Sequence, residues 1–449
     1  MIRVLQATAW YQPIHGGGTE VYLAGLISAL SERAILSSVV APLAPAVADG
    51  CKQDGVSVRS YSVNPNPTPA ELRGWAPDAG FKRFLEILAD EKADIYHQHS
   101  WSRELGAAHL RAAREFGIPT VLTVHVPNNI CIRGSMMRYG KQVCDGRIDT
   151  FTCAACWSEG RGAPKLAALA LAALPTAAAA SLTFCTSGRV RTALAAPLIA
   201  RHQKVEFDEM VANADRIVAV CGWLHDALAI NGVPSEKLVL SRQGVDAGFA
   251  VRAAQVRASG SNRPNSDFRV LYLGRWHPVK GIHILVQAVR MIPKNVPVKL
   301  TIHAVGKGAE ERDYAARVSR MAEGDSRIAI GSPVTRQNLA QTLAEADALA
   351  VPSLSLETGP LVVLEALAAG LPVIGSRLGG IAELVREPEM GTLVPAGDPK
   401  ALADAIVHMA LHRKTPDVAG NIRTMGDVAD EMVALYRSLL PGVTRAKSQ

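Results

Sequence analysis

Residues 351–375 read VPSLSLETGPLVVLEALAAGLPVIG, which places a short polar loop between two regular elements. The apolar run at 348–351 predicts a buried strand that ends at this loop. Pro360 suits the first position of a helix, because its missing N–H would have no partner there. Gly370 and Pro372 predict the end of that helix. This succession of strand, loop and helix is typical of an α/β sheet.

Two glutamates lie on either side of the predicted helix start. Glu357 precedes the helix at the carboxyl end of a strand, and Glu365 lies about one turn inside it. Open α/β sheets bind ligands at that edge. Free N–H groups near Leu361 and Val362 favour an anion, whereas Glu357 would repel phosphate and suits neutral hydroxyls. A sugar joined to a diphosphate contains both an anionic group and neutral hydroxyls. The alternative is that both glutamates only stabilise the helix dipole.

A second predicted strand-to-helix turn carries two cations. The strand predicted at 269–273 is followed by GRWHPVKG, which contains Arg275 and Lys280. Two cations beside a helix N-terminus form a suitable site for a diphosphate leaving group. The alternative is a pair of solvated surface cations.

The two motifs together resemble a known enzyme family. The spacing Glu-x7-Glu from Glu357, the neighbouring TGP and the following LAAGLPVIGSRLGGIAELV resemble the signature of the retaining glycosyltransferases of family 4, the glycogen synthase and mannosyltransferase-like group. The pattern G-R-x4-K-G around Arg275 resembles that family's second signature. The resemblance implies the GT-B fold, an α/β fold of two Rossmann-like doubly wound domains that face a central cleft.

The resemblance also implies roles for the matching residues. Glu357 would bind the donor sugar's hydroxyls, and Glu365 would bind the two ribose hydroxyls of the nucleotide. Arg275 and Lys280 would neutralise the phosphates as the sugar–oxygen bond breaks. Val334 matches the position that holds the base through the main chain. The implied substrate-binding set is Gly17, Gly18, Val334, Thr358, Gly359, Pro360, Leu361, Val362 and Glu365.

Two features of the N-terminal half fit the same pattern. The loop YQPIHGGG follows a predicted strand at 2–7, and its glycines permit close approach and positive φ. Its position matches the family's loop near the donor phosphates and the acceptor, which singles out Gly17 and Gly18. The strand TVLTVH ends at His125, which is therefore predicted at the ligand face. In similar enzymes this histidine contacts the donor sugar, so His125 joins the implied catalytic residues.

Two further histidines end the preceding strand. His97 and His99 lie in ADIYHQHSW at the same predicted edge of the sheet. Both a contact with the acceptor and a purely structural role remain open for them.

Four cysteines set this chain apart from a plain two-domain transferase. Cys131, Cys144, Cys153 and Cys156 have the spacing C-x12-C-x8-C-x2-C. Four thiols match the ligand count of a structural Zn²⁺ site, and a metal would constrain a loop too polar to form its own core. An iron–sulfur cluster and free thiols are the alternatives.

Composition narrows the compartment and the partners. The chain has 449 residues, enough for two or three domains, and 48% apolar with 20% charged residues indicates a folded soluble protein. The N-terminus MIRVLQATAW lacks the features of a signal peptide, and seven cysteines favour a reducing cytoplasm. The net charge of +7 allows attraction to anionic lipid or phosphorylated substrates. No arginine-rich block or aromatic-basic pattern favours nucleic acid.

One uncharged segment raises the question of a membrane. Residues 166–188 are long enough to span a bilayer, but they are rich in alanine, serine and threonine, and Pro175 interrupts them. Alanine-rich helices on the acceptor side are the favoured interpretation, with contact to the inner face of a membrane left open.

These observations predict the organisation of the chain. The predicted parts are an acceptor domain at 1–248 with the cysteine insertion around 126–162, a linker at 249–267, a nucleotide-sugar domain at 268–423, and a C-terminal helix at 424–449 that returns to the first domain.

The function that the resemblance implies is transfer of a hexose-type sugar, with retention, from a nucleotide-diphosphate sugar to a saccharide or lipid-linked acceptor, and we expect it to act in cell-surface polysaccharide or glycolipid synthesis. The sequence contains no Asp-x-Asp for a divalent cation, so metal-independent catalysis is expected. The alternatives are a GT-B epimerase, a phosphorylase and a non-catalytic protein that binds nucleotide sugars or docks a partner.

Overall fold

The computed structural model describes residues 1–11, 17–43, 51–53, 55–64, 66–68, 71, 78–102, 104–259, 267–306, 308–413 and 422–440. The chain forms two compact units. The first comprises Met1–Arg242 with Val428–Gln449, and the second comprises Gln243–Asp427.

The first unit is built on a sheet of eight strands in the order β10-β9-β6-β5-β1-β2-β4-β3 within the described residues. Its strands, with a separate short hairpin of β7 and β8, are β1 (Ile2–Ala7), β2 (Ile35–Leu43), β3 (Cys51–Gln53), β4 (Val56–Ser62), β5 (Ile95–Gln98), β6 (Thr120–Val124), β7 (Met137–Arg138), β8 (Gln142–Val143), β9 (Arg216–Ala219) and β10 (Leu238–Leu240). Neighbours in the large sheet pair in parallel, except that β3 runs antiparallel to β4. The central strands β5 and β6 are buried along their whole length, as expected when helices cover both faces of a sheet.

Helices cover this sheet and fill the segment between β8 and β9. They are α1 (Gly18–Ser31), α2 (Phe81–Glu91), α3 (Ala107–Glu115), α4 (Thr150–Gly160), α5 (Lys165–Ala172), α6 (Thr176–Phe184), α7 (Gly188–Leu194), α8 (Ala196–Asn213) and α9 (Gly222–Ile230). A 3₁₀ turn, Pro127–Asn129, follows β6.

The predicted alanine-rich segment forms the two helices α5 and α6, which meet at an angle of 103°. Pro175 is the N-cap of α6, which explains the break. No single helix among the described residues is both long and apolar enough to cross a membrane, and only this bent pair reaches that length and composition together.

The second unit contains a sheet of six parallel strands in the order β13-β12-β11-β14-β15-β16 within the described residues. The strands are β11 (Phe268–Arg275), β12 (Val298–Val305), β13 (Ile328–Gly331), β14 (Ala348–Val351), β15 (Val373–Ser376) and β16 (Gly391–Val394). Counted within the unit, this order is 3-2-1-4-5-6, the order of a doubly wound fold.

The helices of the second unit lie on both faces of its sheet. They are α10 (Ala247–Ser259), α11 (Ile282–Met291), α12 (Ala309–Ala322), α13 (Leu339–Ala344), α14 (Leu361–Ala368), α15 (Gly379–Leu384) and α16 (Pro399–Leu411), with a 3₁₀ turn at Pro278–Lys280. Val270 of β11 packs in a core with α11, whereas Leu271 packs in the opposite core with α14. The alternation of strand side chains therefore builds one core on each face.

The predicted linker at 249–267 is wrong for most of its length. Residues 247–259 form α10, with Phe249 and Ala253 buried in a core of the second unit, and residues 260–266 lie outside the described part. The two apolar residues at i, i+4 spacing face that core, so the helix is held by packing. The second unit accordingly begins at Gln243.

The final helix, α17 (Met425–Leu439), passes into the first unit from Val428 onward. Tyr436 is fully buried there, and its hydroxyl lies 2.6 Å from Nδ1 of His97. The return of the C-terminal helix was predicted, and the part of that prediction at 441–449 lies outside the described residues.

Candidate functional site

The strand order locates the ligand edge of the second unit. The order reverses between β11 and β14, and doubly wound sheets bind ligands beside the carboxyl ends of the strands at that point. Arg275 is the last residue of β11, and the loop that contains Glu357 follows β14. Both predicted donor motifs therefore start at this position of the sheet.

Close backbone contacts join the two motifs. Gly281, next to the 3₁₀ turn, has φ 69°, and a Cβ at this position would overlap the carbonyl oxygen of Pro352. The backbone N–H of Leu354 donates to the carbonyl of Val279 at 2.7 Å. A residue with a side chain at position 281 would therefore push the two loops apart.

This contact brings a cation and a carboxylate together. Lys280 Nζ lies 2.6 Å from Glu357 Oε1, and the Ser353 hydroxyl donates to the same oxygen at 2.8 Å. The side chains of Lys280 and Glu357 are only 21% and 15% exposed, so their charges are partly shielded from water. The site thus presents an oriented cation next to an oriented hydrogen-bond acceptor.

Arg275 is exposed, beside two side chains that the sequence analysis did not select. Tyr272 donates to the Arg275 carbonyl at 3.3 Å. Burial raises the pKa of Tyr272, and the negative charge of Glu357 raises it further. His277 accepts from the N–H of Val279 through Nδ1 at 3.3 Å, and burial followed by the charge of Arg275 lowers its pKa. His277 is therefore a neutral donor through Nε2.

The loop after Glu357 is fixed through its backbone. The Glu357 carbonyl accepts from the N–H of Gly380 at 2.7 Å, and Gly359 has φ 104°, a conformation that favours glycine. Pro360 is the N-cap of α14, one position earlier than predicted, because its ψ of 127° is extended. The first amides of α14, at Leu361 and Val362, have no intrahelical acceptor by geometry.

Glu365 is buried and paired with a residue that the sequence analysis missed. Its carboxylate forms an ion pair with Arg336, whose guanidinium lies 5.2 Å from the centre of the Phe249 ring. Burial raises the pKa of Glu365, and the charge of Arg336 opposes that rise. Arg336 lies two residues after Val334, which is half-buried. Only its proximity in sequence to a predicted site residue could have indicated it.

In the first unit, the three predicted histidines form a buried group at the carboxyl ends of β5 and β6. His99 Nε2 donates to Gln6 Oε1 at 2.8 Å, so its Nδ1 accepts from Nε2 of His125 at 3.2 Å. His97 lies between the hydroxyls of Tyr436 and Thr123, at 2.6 and 2.7 Å.

These contacts distinguish the histidines. Burial lowers the pKa of His97 and of His125 to about 3, and that of His99 well below its usual value, so all three are neutral at pH 7. His97 bonds to protein on both ring nitrogens, which is a structural role. His125 is buried as well, although it lies at the predicted edge of the sheet.

The glycine loop is described only at its end. Gly17 is the N-cap of α1 with φ −78°, and Gly18 also lacks a positive φ, so the positive φ allowed for these glycines is not used. A Cβ on Gly18 would meet no atom within 4 Å. The preceding loop residues 12–16 lie outside the described part.

The four predicted metal ligands line one small cavity of about 30 Å³. All are free thiols and half-buried. Burial raises the pKa of Cys153 to about 11, and the neighbouring Cys131 and Cys144 add to the rise. Cys156 Sγ accepts from the N–H of Tyr139 at 3.2 Å. In the described ranges, however, no three His, Cys, Asp or Glu side chains have the arrangement of a metal site. Zinc stays a prediction.

Comparisons with known proteins match both halves of the chain. The family model "Glycosyl transferase 4-like domain" matches residues 17–207, and the model "Glycosyl transferases group 1" matches residues 267–412. The chain is 26% identical over 408 residues to the D-inositol 3-phosphate glycosyltransferase of Xylanimonas cellulosilytica, covering 87% of this chain and 82% of that protein. It is 27% identical to the putative colanic acid biosynthesis glycosyltransferase WcaL of Escherichia coli K12, covering 46% of this chain and 50% of WcaL.

Solved structures share the fold. Sucrose-phosphate synthase from Thermosynechococcus elongatus superposes with a TM-score of 0.67 at 20% identity, covering 98% of this chain and 99% of that one. Anabaena HepE in complex with UDP and glucose has a TM-score of 0.61 at 18% identity, covering 98% and 100%. The predicted fold class, with two Rossmann-like α/β domains, is confirmed.

Proposed function

Because this chain belongs to the group 1 family of glycosyltransferases and has the GT-B fold, we propose that it transfers a hexose-type sugar, with retention, from a nucleotide-diphosphate sugar to a saccharide or lipid-linked acceptor. The observation that carries the proposal is the pairing of Lys280 with Glu357 beside Arg275, at the switch point of the second sheet. The Lys280 cation suits the phosphates, and the Glu357 carboxylate suits the sugar hydroxyls.

Each part of the donor is bound by a different group of the second unit. The diphosphate is held by Arg275, Lys280 and the first amides of α14, and Glu357 accepts hydrogen bonds from the sugar hydroxyls. Glu365 accepts from the ribose hydroxyls, with its carboxylate oriented by Arg336. The main chain at Val334 holds the base. Structures of HepE with UDP and with UDP-glucose support a donor of this class.

The chemical step depends on the leaving group. As the bond from the anomeric carbon to the phosphate oxygen breaks, Arg275 and Lys280 stabilise the negative charge that develops on the diphosphate. The acceptor hydroxyl attacks from the same face and passes its proton to the departing phosphate oxygen, so configuration is retained. These cations supply the charge that a divalent metal supplies elsewhere, so transfer proceeds without one. Neutral His125 gives its Nε2–H to His99, so its part in the donor site is to accept a hydrogen bond from a sugar hydroxyl at Nδ1.

We also propose a class of acceptor and a location for this protein. Relatives named for colanic acid and amylovoran synthesis support an acceptor in cell-surface polysaccharide assembly. We propose a cytoplasmic protein that contacts the inner face of the membrane through α5 and α6. Their exposed Leu166 and Phe184, at 82% and 92%, together with the positive net charge, suit an anionic lipid surface. Flotation with anionic vesicles tests this contact, which the double variant Leu166→Ser, Phe184→Ser should lose.

The cysteine cluster adds a proposed structural Zn²⁺. Four thiols in one cavity match the ligand count of such a site, and zinc binding would release their protons. Metal analysis of the purified protein should give about one zinc per chain. Cys153→Ser should lose it, whereas Cys185→Ser, which removes an exposed thiol outside the cavity, should keep it. Absence of zinc from the wild type contradicts this proposal.

A donor screen tests the function as a whole. The Tm of the purified protein is measured with UDP-, GDP- and ADP-hexoses. The donor that raises the Tm is then supplied in labelled form, with membrane extract as the source of acceptor. Label should move to saccharide or lipid. A changed sugar still on its nucleotide would indicate an epimerase, phosphate-dependent exchange of the sugar a phosphorylase, and binding without turnover a non-catalytic protein. No binding of any nucleotide sugar contradicts the proposal.

A further inference from the structure

The first unit contains a second, much larger cavity that neither donor motif uses. It has a volume of about 870 Å³, within the range of small-molecule binding sites. Its walls come from the end of β5, the segment before β7, and helices α4, α7 and α8. Cys131, Ile132 and Arg133 line both this cavity and the thiol cavity, so the two cavities share this segment as a wall.

The charged groups that line this cavity are mostly basic. Arg133, Arg161 and Arg191 face it, and Glu206 is the carboxylate among its described lining residues. Burial, followed by the charge of nearby Glu209, raises the pKa of Glu206 to about 7. At neutral pH this carboxylate is therefore partly protonated and cannot balance three guanidinium groups. The cavity attracts anions.

The arginines differ in how far the protein itself uses them. Arg133 donates to the Cys156 carbonyl at 3.3 Å, and the guanidinium of Arg161 lies 4.6 Å from the centre of the Trp157 ring. Arg191 Nε is shielded from solvent, and within the described residues it has no hydrogen-bond partner. A buried donor of this kind costs stability unless a ligand satisfies it. Arg191 is therefore available to bind an anion, and Arg161, which is exposed, is a second cation of the same cavity.

Aromatic and polar groups complete the walls. Trp101 is half-buried, so part of its ring faces the cavity, and such a surface suits the C–H face of a sugar ring. The Ser102 hydroxyl beside it is buried and has no hydrogen-bond partner in the described part of the chain. Guanidinium, aromatic ring and hydroxyl together match a saccharide that carries a phosphate.

We propose that this cavity binds the acceptor, and that the acceptor is a saccharide bearing a phosphate or diphosphate group held by Arg161 and Arg191. The inference rests on the proposed glycosyl transfer and names its second substrate by class. The phosphate belongs either to a soluble sugar phosphate or to the diphosphate link of a lipid-carried saccharide. The donor's own phosphates have separate cations, Arg275 and Lys280, in the second unit.

The test compares matched ligands by calorimetry on the full-length protein. The probes are the 1-phosphates of glucose, galactose, mannose and N-acetylglucosamine, the four neutral sugars, and the same sugars joined through diphosphate to a short polyprenyl chain in detergent micelles. The variants are Arg161→Ala and Arg191→Ala, with Arg161→Gln and Arg191→Gln as milder replacements. Arg189→Ala is the control. Arg189 is exposed and belongs to α7, as Arg191 does, but it does not line the cavity.

At least one phosphorylated sugar should bind tenfold or more tightly than its neutral counterpart, and each cavity variant should lose about tenfold of that affinity. Arg189→Ala should change it less than about twofold. Binding of the lipid-linked form alone assigns the phosphate to a lipid carrier, and binding of the soluble form assigns it to a sugar phosphate.

Equal affinity for phosphorylated and neutral sugars, or full affinity in both cavity variants, overturns the proposal. Nucleotide-sugar binding is measured on every variant and should be unchanged. If the wild type binds a nucleotide sugar but no phosphorylated saccharide, this inference fails and the proposed transferase activity stands. If it binds no nucleotide sugar, the transferase proposal itself fails.

Discussion

Lys280 Nζ lies 2.6 Å from Glu357 Oε1, although 77 residues separate them in the chain. The pair joins the two strand-to-helix turns at the switch point of the second sheet. Because each side chain is oriented by the other, neither has to lose much rotamer freedom when a ligand binds. In the proposed transferase, the incoming diphosphate would replace part of the attraction that Lys280 has for Glu357, and the carboxylate would turn to the sugar hydroxyls.

Loss of the Lys280 ammonium should therefore impair the chemical step. We expect Lys280→Ala to lower kcat/KM for the donor by about 10²–10³, the usual effect of removing one group that stabilises developing charge. Lys299→Ala is the control, since Lys299 also lies 2.6 Å from a carboxylate, Asp267, but at the start of β12, the opposite edge of the sheet. Initial rates with labelled donor measure both. Similar small losses in the two variants would contradict a role for Lys280.

Arg275 should act on the same phosphates from the end of β11. We expect Arg275→Ala to weaken nucleotide-diphosphate binding about tenfold or more, because a charge-assisted hydrogen bond is lost. Arg269→Ala removes an exposed arginine from the beginning of the same strand and should leave binding unchanged. Calorimetry with UDP and GDP measures the difference. Equal affinities for the two variants would place the phosphates elsewhere.

The pair of Glu365 and Arg336 should contribute to stability. Arg336→Met leaves a buried carboxylate without its partner, and because Arg336 is 43% exposed we expect a loss of about 1–2 kcal/mol in the free energy of unfolding of the second unit. Adding Glu365→Gln should recover most of it, since the neutral amide needs no counter-charge.

Arg336 also contacts the Phe249 ring, and Arg317→Met is the control for the loss of that contact. Arg317 lies 5.0 Å from the centre of the Tyr314 ring, so its removal takes away a similar cation–π contact without exposing a buried charge. Urea unfolding measures all variants. Destabilisation by Arg336→Met no larger than that of the control would show that the ion pair contributes nothing.

Acid should destabilise the first unit through its buried histidines. Their pKa values are lowered in the folded state, to about 3 for His97, His109 and His125, and well below the usual value for His99. The unfolded chain binds these protons below pH 6.5, so stability is complete above that pH and is lost as the pH falls toward 3. Each histidine contributes a slope of about 1.4 kcal/mol per pH unit.

Replacing one of them should reduce that slope. Nδ1 of His109 accepts from the N–H of Gly106 at 3.2 Å, and the ring packs against Phe84. His109→Gln should lower the free energy of unfolding. It should also reduce the number of protons taken up on unfolding between pH 4 and 6 by about one, whereas His412→Gln, at an exposed position, should do neither. Unfolding in urea at several pH values checks both. An unaltered slope in His109→Gln would contradict the argument.

Local patterns predicted most of the fold. The strand at 348–351 has the predicted bounds, and the chain reversal at Gly370 ends α14 as expected, because burial and turn chemistry there agree. The same patterns placed Lys280 and Glu357 at strand ends, which in a parallel sheet meet at one edge. They could not show that the two side chains bond, since that depends on Gly281 fitting against Pro352.

Other features depend on contacts distant in sequence. Residues 247–259 adjoin the polar sequence SGSNRPNSD that predicted a linker, and the core that receives Phe249 makes them a helix of the second unit. Arg336 belongs to no sequence motif, and only the folded structure brings Glu365 of α14 next to it. The large cavity of the first unit draws on residues from 101 to 206, which no spacing rule connects.

The path of α17 has a consequence for how the protein is made. Tyr436, which follows the whole second unit in the chain, fills a buried position against His97, so the core of the first unit is closed by residues that are translated after the second unit. The second unit, whose residues are continuous in sequence, has all its parts available earlier. During synthesis the core of the first unit therefore stays incomplete until the second unit has been translated, and a nonsense codon between Asp427 and Tyr436 would damage the part that was translated first.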